Sequence, residues 1–396
     1  MSEMPFPEPD GTVPSIEPRE LRARVESDER VVVLDARNSG DYEAWHIDGP
    51  GVESYNAPYF NFLDGVDEEA VASLPEDEEI VVLCAKGGAS EYVADRLDDR
   101  GFDVVHLEDG MRGWARIYDR AEVTGYDGAG TLYQYHRPSS GCLSYMVVSE
   151  GEAAVIDPLA AFTERYREDT ADLAADLEYA IDTHVHADHV SGVRDLEAAG
   201  ITGVVPAPAA ERGITYDDAV ETIEDSETID VGAATVEVVH TPGHTTGMRS
   251  YLVDGAAILT GDGLFTESVA RPDLEAGADG AEDAARQLYE SLQEQVLSLG
   301  DDVLVGGGHT SDAAEPNEDG TYTATIGQLR AEMPVLEADR ATFVQRVVAD
   351  MPPRPANYED IIETNLGQRE TDEEEALTLE LGPNNCAASG DAMTGD

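Results

Sequence analysis

Lysine is all but missing from this chain. One lysine, Lys86, occurs in 396 residues, and every other basic side chain is an arginine. Lys and Arg together number 24 against 84 Asp and Glu, giving a formal net charge of −60 at pH 7. A nucleic-acid backbone is gripped through positive charge, so no general electrostatic footprint for nucleic acid is available. Cysteine is scarce too. Cys84, Cys142 and Cys386 are too few, and odd in number, for a disulfide framework, which points to a reducing compartment. No apolar run approaches the ~20 residues of a membrane span. The start, MSEMPFPEPDG, lacks the basic end and apolar core of a signal peptide. The expectation is a cytoplasmic protein with neither a membrane nor a nucleic-acid partner.

What is present argues against disorder. Hydrophobic residues make up 41% of the chain and recur in regular short runs. Dense carboxylate with almost no lysine suits concentrated salt, where ions screen self-repulsion in the compact state. The composition predicts a halophilic, archaeal source. The length calls for two domains.

From about residue 16 to 122 strand and helix alternate. Val31–Leu34, Ile80–Leu83 and Val104–Leu107 read as short buried strands, and EYVADRLDDRG as a helix closed by Gly101. This predicts a small parallel α/β domain with loops at the carboxyl ends of its strands. The glycines of GYDGAG, 125–130, mark the crossing to a larger α/β domain over 128–345. Its strand-like segments are CLSYMVV, AAVIDP, YAIDTHV, TVEVVHT, SYLVDG, AAILTGD and DVLVGGG. Residues 346–396 read as a carboxyl-terminal extension and a loose acidic tail, anchored by LTLEL, with EEE at 373–375 as a solvated face.

Two places carry chemistry. Cys84-Ala85-Lys86-Gly87-Gly88-Ala89-Ser90 lies between a strand and a helix, where backbone N–H groups and the helix dipole can hold the negative charge of a thiolate, persulfide or oxyanion. The alternative is a buried structural cysteine. Asp35-Ala36-Arg37, Asp41-Tyr42, His46-Ile47-Asp48-Gly49 and the run Leu107 to Trp114 surround this loop in sequence. Together these motifs resemble a single-domain rhodanese. The resemblance implies that Cys84 accepts a sulfane sulfur and passes it on, with Lys86, Gly87 and Ser90 in the catalytic loop. Many rhodanese loops carry arginine before the final serine; here that position is Ala89.

The second place is Asp182-Thr183-His184-Val185-His186-Ala187-Asp188-His189. Three of the nine histidines fall within six residues. Alternate positions on an extended segment point the same way, so His184 and His186 can meet one metal. His244 in TPGHT, Asp262 in LTGD and His309 in GGGH follow, each at a strand end. This series resembles the metallo-β-lactamase superfamily. The implied fold class is α/β: a rhodanese-like domain followed by an αββα sandwich. With imidazole and carboxylate donors and no thiolate expected among them, zinc, iron or manganese is the expected metal.

The resemblance divides. In the glyoxalase II (hydroxyacylglutathione hydrolase) branch, two Zn(2+) ions are implied. His184, His186 and His244 serve one, Asp188, His189 and His309 the other, and Asp262 bridges for thioester hydrolysis. In the persulfide dioxygenase branch, one Fe(2+) sits on His184, His244 and Asp262. THVHADH, the stretch to Arg271-Pro272-Asp273, and FVQRVVADMPPRPANYEDIIETNLG resemble that branch more closely. It implies a low-molecular-weight thiol persulfide as substrate, sulfane-sulfur donors or acceptors as partners of Cys84, and Arg271 and Asp273 at the substrate. The rhodanese here precedes the metal domain, whereas in the fusions of this branch it usually follows. A homodimer is compatible with the superfamily. A non-enzymatic sulfur relay or sensor with a structural metal is the remaining reading. Cys142 is expected in the core and Cys386 at the surface without a special role.

Overall fold

The computed structural model describes residues 11–27, 29–49, 51–310, 314–349, 351–355, 357–380, 386–388 and 393. They divide into two compact units, one ending at Ile117 and one beginning at Tyr118. Among the described residues no helix is long and apolar enough to cross a membrane.

The first unit contains β1 (Ser15–Ile16), α1 (Pro18–Glu26), β2 (Val31–Asp35), α2 (Ser39–Ala44), β3 (Val52–Asn56), α3 (Glu68–Val71), β4 (Ile80–Leu83), α4 (Gly88–Asp98), β5 (Val104–Leu107) and α5 (Gly110–Ala115). The five strands are parallel, in the order β1-β5-β4-β2-β3. Period-two alternation sends Val32, Leu34, Ile80 and Val82 to one face, under Tyr92, Val93 and Leu97 of α4. Val31, Val33, Val81 and Leu83 go to the other, against α1 and α5. Both faces are covered, which is why these strands read as unbroken apolar runs. The chain reverses direction across the sheet between β2 and β4, so a crevice opens at their carboxyl ends. Cys84 follows β4 directly.

The second unit begins with β6 (Asp119–Glu122), β7 (Thr131–Arg137), β8 (Cys142–Ser149), β9 (Glu152–Ile156), α6 (Thr163–Asp172), β10 (Asp176–Ile181), α7 (Val193–Ala198), β11 (Thr202–Pro206), α8 (Pro208–Glu211) and β12 (Glu221–Ile223). There follow β13 (Thr228–Val231), β14 (Ala234–His240), β15 (Arg249–Val253), β16 (Ala257–Gly261), α9 (Asp273–Ser291), β17 (Leu304–Gly307), β18 (Ala324–Thr325), α10 (Ile326–Glu332), α11 (Arg340–Ala349), α12 (Tyr358–Asn365) and α13 (Glu373–Leu379). The strands form a seven-stranded sheet, β12-β11-β10-β9-β8-β7-β6, and a six-stranded sheet, β13-β14-β15-β16-β17-β18. Leu143, Tyr145 and Val147 of β8 meet Val236 and Val238 of β14 in one core between the sheets. Helices cover both outer faces, giving an αββα sandwich.

Two sequence expectations meet a different arrangement. GYDGAG is not a domain crossing. It connects β6 and β7, which pair antiparallel, so Asp119–Glu122 belong to the sandwich. The segment beyond 345 is not a loose extension as far as residue 380. Val347 enters the outer core, Leu377 and Leu379 are buried in keeping with the expected LTLEL anchor, and Glu380 forms an ion pair with Arg137 in which neither side chain is exposed. Glu380 also accepts a hydrogen bond from the Val190 N–H at 2.7 Å. Sequence patterning treats acidic residues as solvated; a buried arginine 243 residues away reverses that here.

Removing one partner of a buried ion pair leaves an uncompensated charge. Glu380→Ala should therefore lose about 3–5 kcal/mol of stability in denaturant unfolding. A loss below about 1 kcal/mol, the size of an exposed pair, would contradict the account.

Candidate functional site

In the first unit, Cys84 is buried, and its Sγ accepts a hydrogen bond from the Gly87 N–H at 3.1 Å. Gly87 adopts φ +90°, the left-handed region that glycine enters without strain. The Met111 N–H donates to the Cys84 carbonyl at 2.8 Å, and the Arg112 N–H to the Ala85 carbonyl at 3.1 Å, so α5 holds the loop from behind. The Ser90 hydroxyl donates to the Gly87 carbonyl at 2.8 Å; it closes the turn rather than meeting the sulfur. Lys86 is exposed. Arg37 and Asp35, at the end of β2, form a bidentate pair with an N–O distance of 2.6 Å.

In the second unit, His244, Asp262 and His309 follow β14, β16 and β17. These three strands run in one direction, so their loops emerge at one edge of the sheet. His184 and its neighbours follow β10 of the facing sheet. His184, His186, Asp188, His189, His244, Asp262 and His309 are all buried. His184, His244 and Asp262 bring ligand atoms within 4.8 Å of one another. Asp188, Asp262 and His309 do the same, joined by Cys386. His186 groups instead with Asp157 and Asp182. Glycine is required beside the centre: a Cβ at Gly308 would lie 2.6 Å from Asp262 Oδ1.

The tautomers follow from partners that only accept. Thr183 Oγ1 donates to Asp157 Oδ2 at 2.9 Å and so accepts from His184 Nδ1 at 2.8 Å. His244 Nδ1 donates to the Arg271 carbonyl at 3.1 Å. His186 Nε2 donates to Asp157 Oδ1 at 3.1 Å, and His189 Nδ1 to Asp188 Oδ2 at 3.0 Å. His184 and His244 therefore each present an unprotonated nitrogen on the other side, whereas at His186 and His189 the partner carboxylates outweigh burial and favour the protonated ring. His184 Nε2, His244 Nε2 and Asp262 Oδ2 are buried without a hydrogen-bond partner. Two imidazoles and a carboxylate with lone pairs directed inward fit a divalent metal.

The electrostatics agree at the triad of His184, His244 and Asp262. Burial, reinforced by His186, holds His184 well below the usual imidazole range, and burial lowers His244. Burial opposes charge on Asp262, but His309, His244 and His184 outweigh it and hold its carboxyl below the usual range. Burial likewise opposes charge on His309, yet Asp262 and Asp188 raise its pKa well above the usual value.

Several residues were not singled out by the sequence pattern. Asp157 serves both His186 and, through Thr183, His184; its φ of +52° is the one local oddity, and it leaves no mark in sequence. Asn365 donates to the carbonyls of His186 and His189 at 3.0 and 2.8 Å and accepts from the Ser191 N–H at 2.9 Å. Cys142 is buried as expected, but its thiol also donates to Asp188 at 3.3 Å. Cys386 is not at the surface: it is fully buried beside the metal-ligand cluster. Arg271 and Asp273 are turned on each other, with N–O distances of 2.8 and 3.1 Å, and the Arg271 guanidinium also reaches the Pro353 carbonyl. Their reach to the centre runs through the Arg271 carbonyl and His244 rather than through an open guanidinium.

Comparison with known proteins accords with this geometry. The model of the metallo-beta-lactamase superfamily matches residues 138–309, and that of the rhodanese-like domain residues 17–117. Persulfide dioxygenase ETHE1, mitochondrial, of Homo sapiens is 26% identical over 255 residues, 62% of this chain and 93% of the human protein. Hydroxyacylglutathione hydrolase of Brucella anthropi is 31% identical over 189 residues, 45% of this chain and 66% of that protein. The crystal structure of ETHE1 from Myxococcus xanthus superposes with a TM-score of 0.52 at 27% identity, covering 60% of this chain and 98% of that one. The chain belongs to the metallo-beta-lactamase superfamily, with a rhodanese-like domain ahead of the sandwich. It is a metal-dependent enzyme of that family.

Asp157 receives only donors: the Thr183 N–H, the Thr183 hydroxyl and His186. An amide has one accepting oxygen, so Asp157→Asn sets its NH₂ against one of them while tolerating positive φ. Metal affinity should fall about 10–100-fold in competition with a chelator. Unchanged affinity would remove Asp157 from this role.

Proposed function

We propose that the sandwich is a persulfide dioxygenase, converting a low-molecular-weight thiol persulfide, dioxygen and water to the thiol and sulfite. The rhodanese-like unit would transfer sulfane sulfur through Cys84. The observation that carries the reading is the triad of His184, His244 and Asp262, two imidazoles and one carboxylate with converging, unpartnered lone pairs. This is the donor set of a mononuclear non-haem iron site. The relatives that bear the name persulfide dioxygenase are matched over nine-tenths of their length (93% in the human protein). Iron bound at the triad would supply the redox chemistry that joins dioxygen to a sulfane sulfur.

The chain's own residues have definite parts in this scheme. Asp157 and Thr183 fix the His184 ring, and the Arg271 carbonyl fixes His244, so no side chain must reorient when the ion enters. Arg271 and Asp273 act as positioning residues. At the other site, the Gly87 N–H meets the Cys84 sulfur and stabilises negative charge on a thiolate or on the terminal sulfur of a persulfide. Lys86 adds a positive charge at the exposed side of the loop. No cysteine is in a disulfide, which suits sulfur chemistry in a reducing cytoplasm.

Thioester hydrolysis at two zinc ions is the second reading. It is favoured by the buried cluster of Asp188, Asp262 and His309 beside the triad and by the likeness to hydroxyacylglutathione hydrolase.

Elemental analysis with turnover separates the two: iron with oxygen uptake supports the oxygenase, and zinc with thioester cleavage supports the hydrolase. Asp262→Ala should abolish oxygen uptake with a persulfide substrate and leave sulfur transfer by Cys84 intact. Cys84→Ser should do the reverse. Unchanged sulfurtransferase activity in that variant would remove Cys84 from the mechanism.

A further inference from the structure

Asp188, Asp262, His309 and Cys386 come from four separate segments, and all are buried. One ligand atom from each lies within 4.8 Å of the others. Cys386 is held in this place by backbone pairing. The Arg271 N–H donates to its carbonyl at 3.1 Å, Ala387 bridges Ala270, and the Ala388 N–H donates to Val269 at 2.8 Å. The Ser268 hydroxyl donates to the Ala388 carbonyl at 2.9 Å. The side chain packs on Ala187, within the histidine motif, and on Leu274. Asp262, fully buried, turns Oδ1 to His309 Nε2 at 2.8 Å while Oδ2 faces His184 and His244, so one carboxylate faces both positions.

Two carboxylates, one imidazole and one sulfur make a four-donor set for a borderline-soft divalent ion. We propose that Cys386 is a thiolate ligand of a second metal position formed with Asp188, Asp262 and His309. On binding a divalent ion the S–H bond would break, the sulfur's electron pair going to the ion and the proton leaving to solvent. Cys142 is the rival sulfur. Its thiol is already engaged with Ser140 and Asp188, and it groups with Asp188 and His189 but not with Asp262. The inference does not depend on which reaction the triad supports.

Cobalt(II) tests it directly on the full chain, stripped of metal by a chelator and titrated without oxygen. The wild type should bind about two Co(II) and develop thiolate-to-cobalt charge-transfer absorption in the near ultraviolet. Cys386→Ser should lose that absorption and bind about one Co(II), the retained ion reporting an intact fold and triad. Cys142→Ser and His244→Ala should keep the absorption. Its absence in the wild type, its survival in Cys386→Ser, or its loss in Cys142→Ser would overturn the assignment. Failure of oxygen uptake with the absorption present would count against the dioxygenase alone.

Discussion

An imidazole binds a metal only through a nitrogen that carries no proton. The centre of this protein depends on that constraint, and at His184 and His244 it is met by pairing the ring with a group that can only accept. The Asp157 carboxylate reaches two histidines, one directly and one through Thr183, and a backbone carbonyl serves a third. The proton on His184 and that on His244 are thereby turned outward. Burial then keeps His184 and His244 neutral. Low dielectric, which ordinarily penalises polar groups, here preserves the lone pairs that a cation needs.

The loop bearing the histidine motif is tied down by distant parts of the chain. Asn365 ties down two of its carbonyls, and Glu380 holds the next N–H while neutralising the buried Arg137. The segment after the sandwich thus contributes to the centre without supplying an expected ligand. Precision at such a site comes from these supports as much as from the ligands.

The ligand residues were legible because strand ends carry them: HxHxDH, TPGH, TGD and GGGH are local patterns that need no knowledge of the rest of the chain. The buried parallel strands β2, β4 and β5 were legible for the same reason. What escaped was long-range. Asn365 lies 179 residues from His186, and Glu380 lies 190 from Val190. Cys386, in a stretch of small and polar residues, carries no periodicity that would mark it as buried. GYDGAG looks like a linker because glycine serves a hairpin connection and a domain crossing equally well. The weakly patterned strands β6, β11 and β12 were overlooked because mixed or small side chains blur the alternation.

The placement of Lys86 has a chemical consequence. It is the sole side-chain amine of the protein and stands exposed in the loop that holds Cys84. Amine-directed reagents, or acetylation, therefore have one side-chain target, and it lies two residues from Cys84. Arginine, which supplies every other side-chain cation apart from histidine, is untouched by such chemistry. Among side chains, an amine-selective acyl group is thus a single-site label for the rhodanese-like loop and leaves those of the metal centre unmodified.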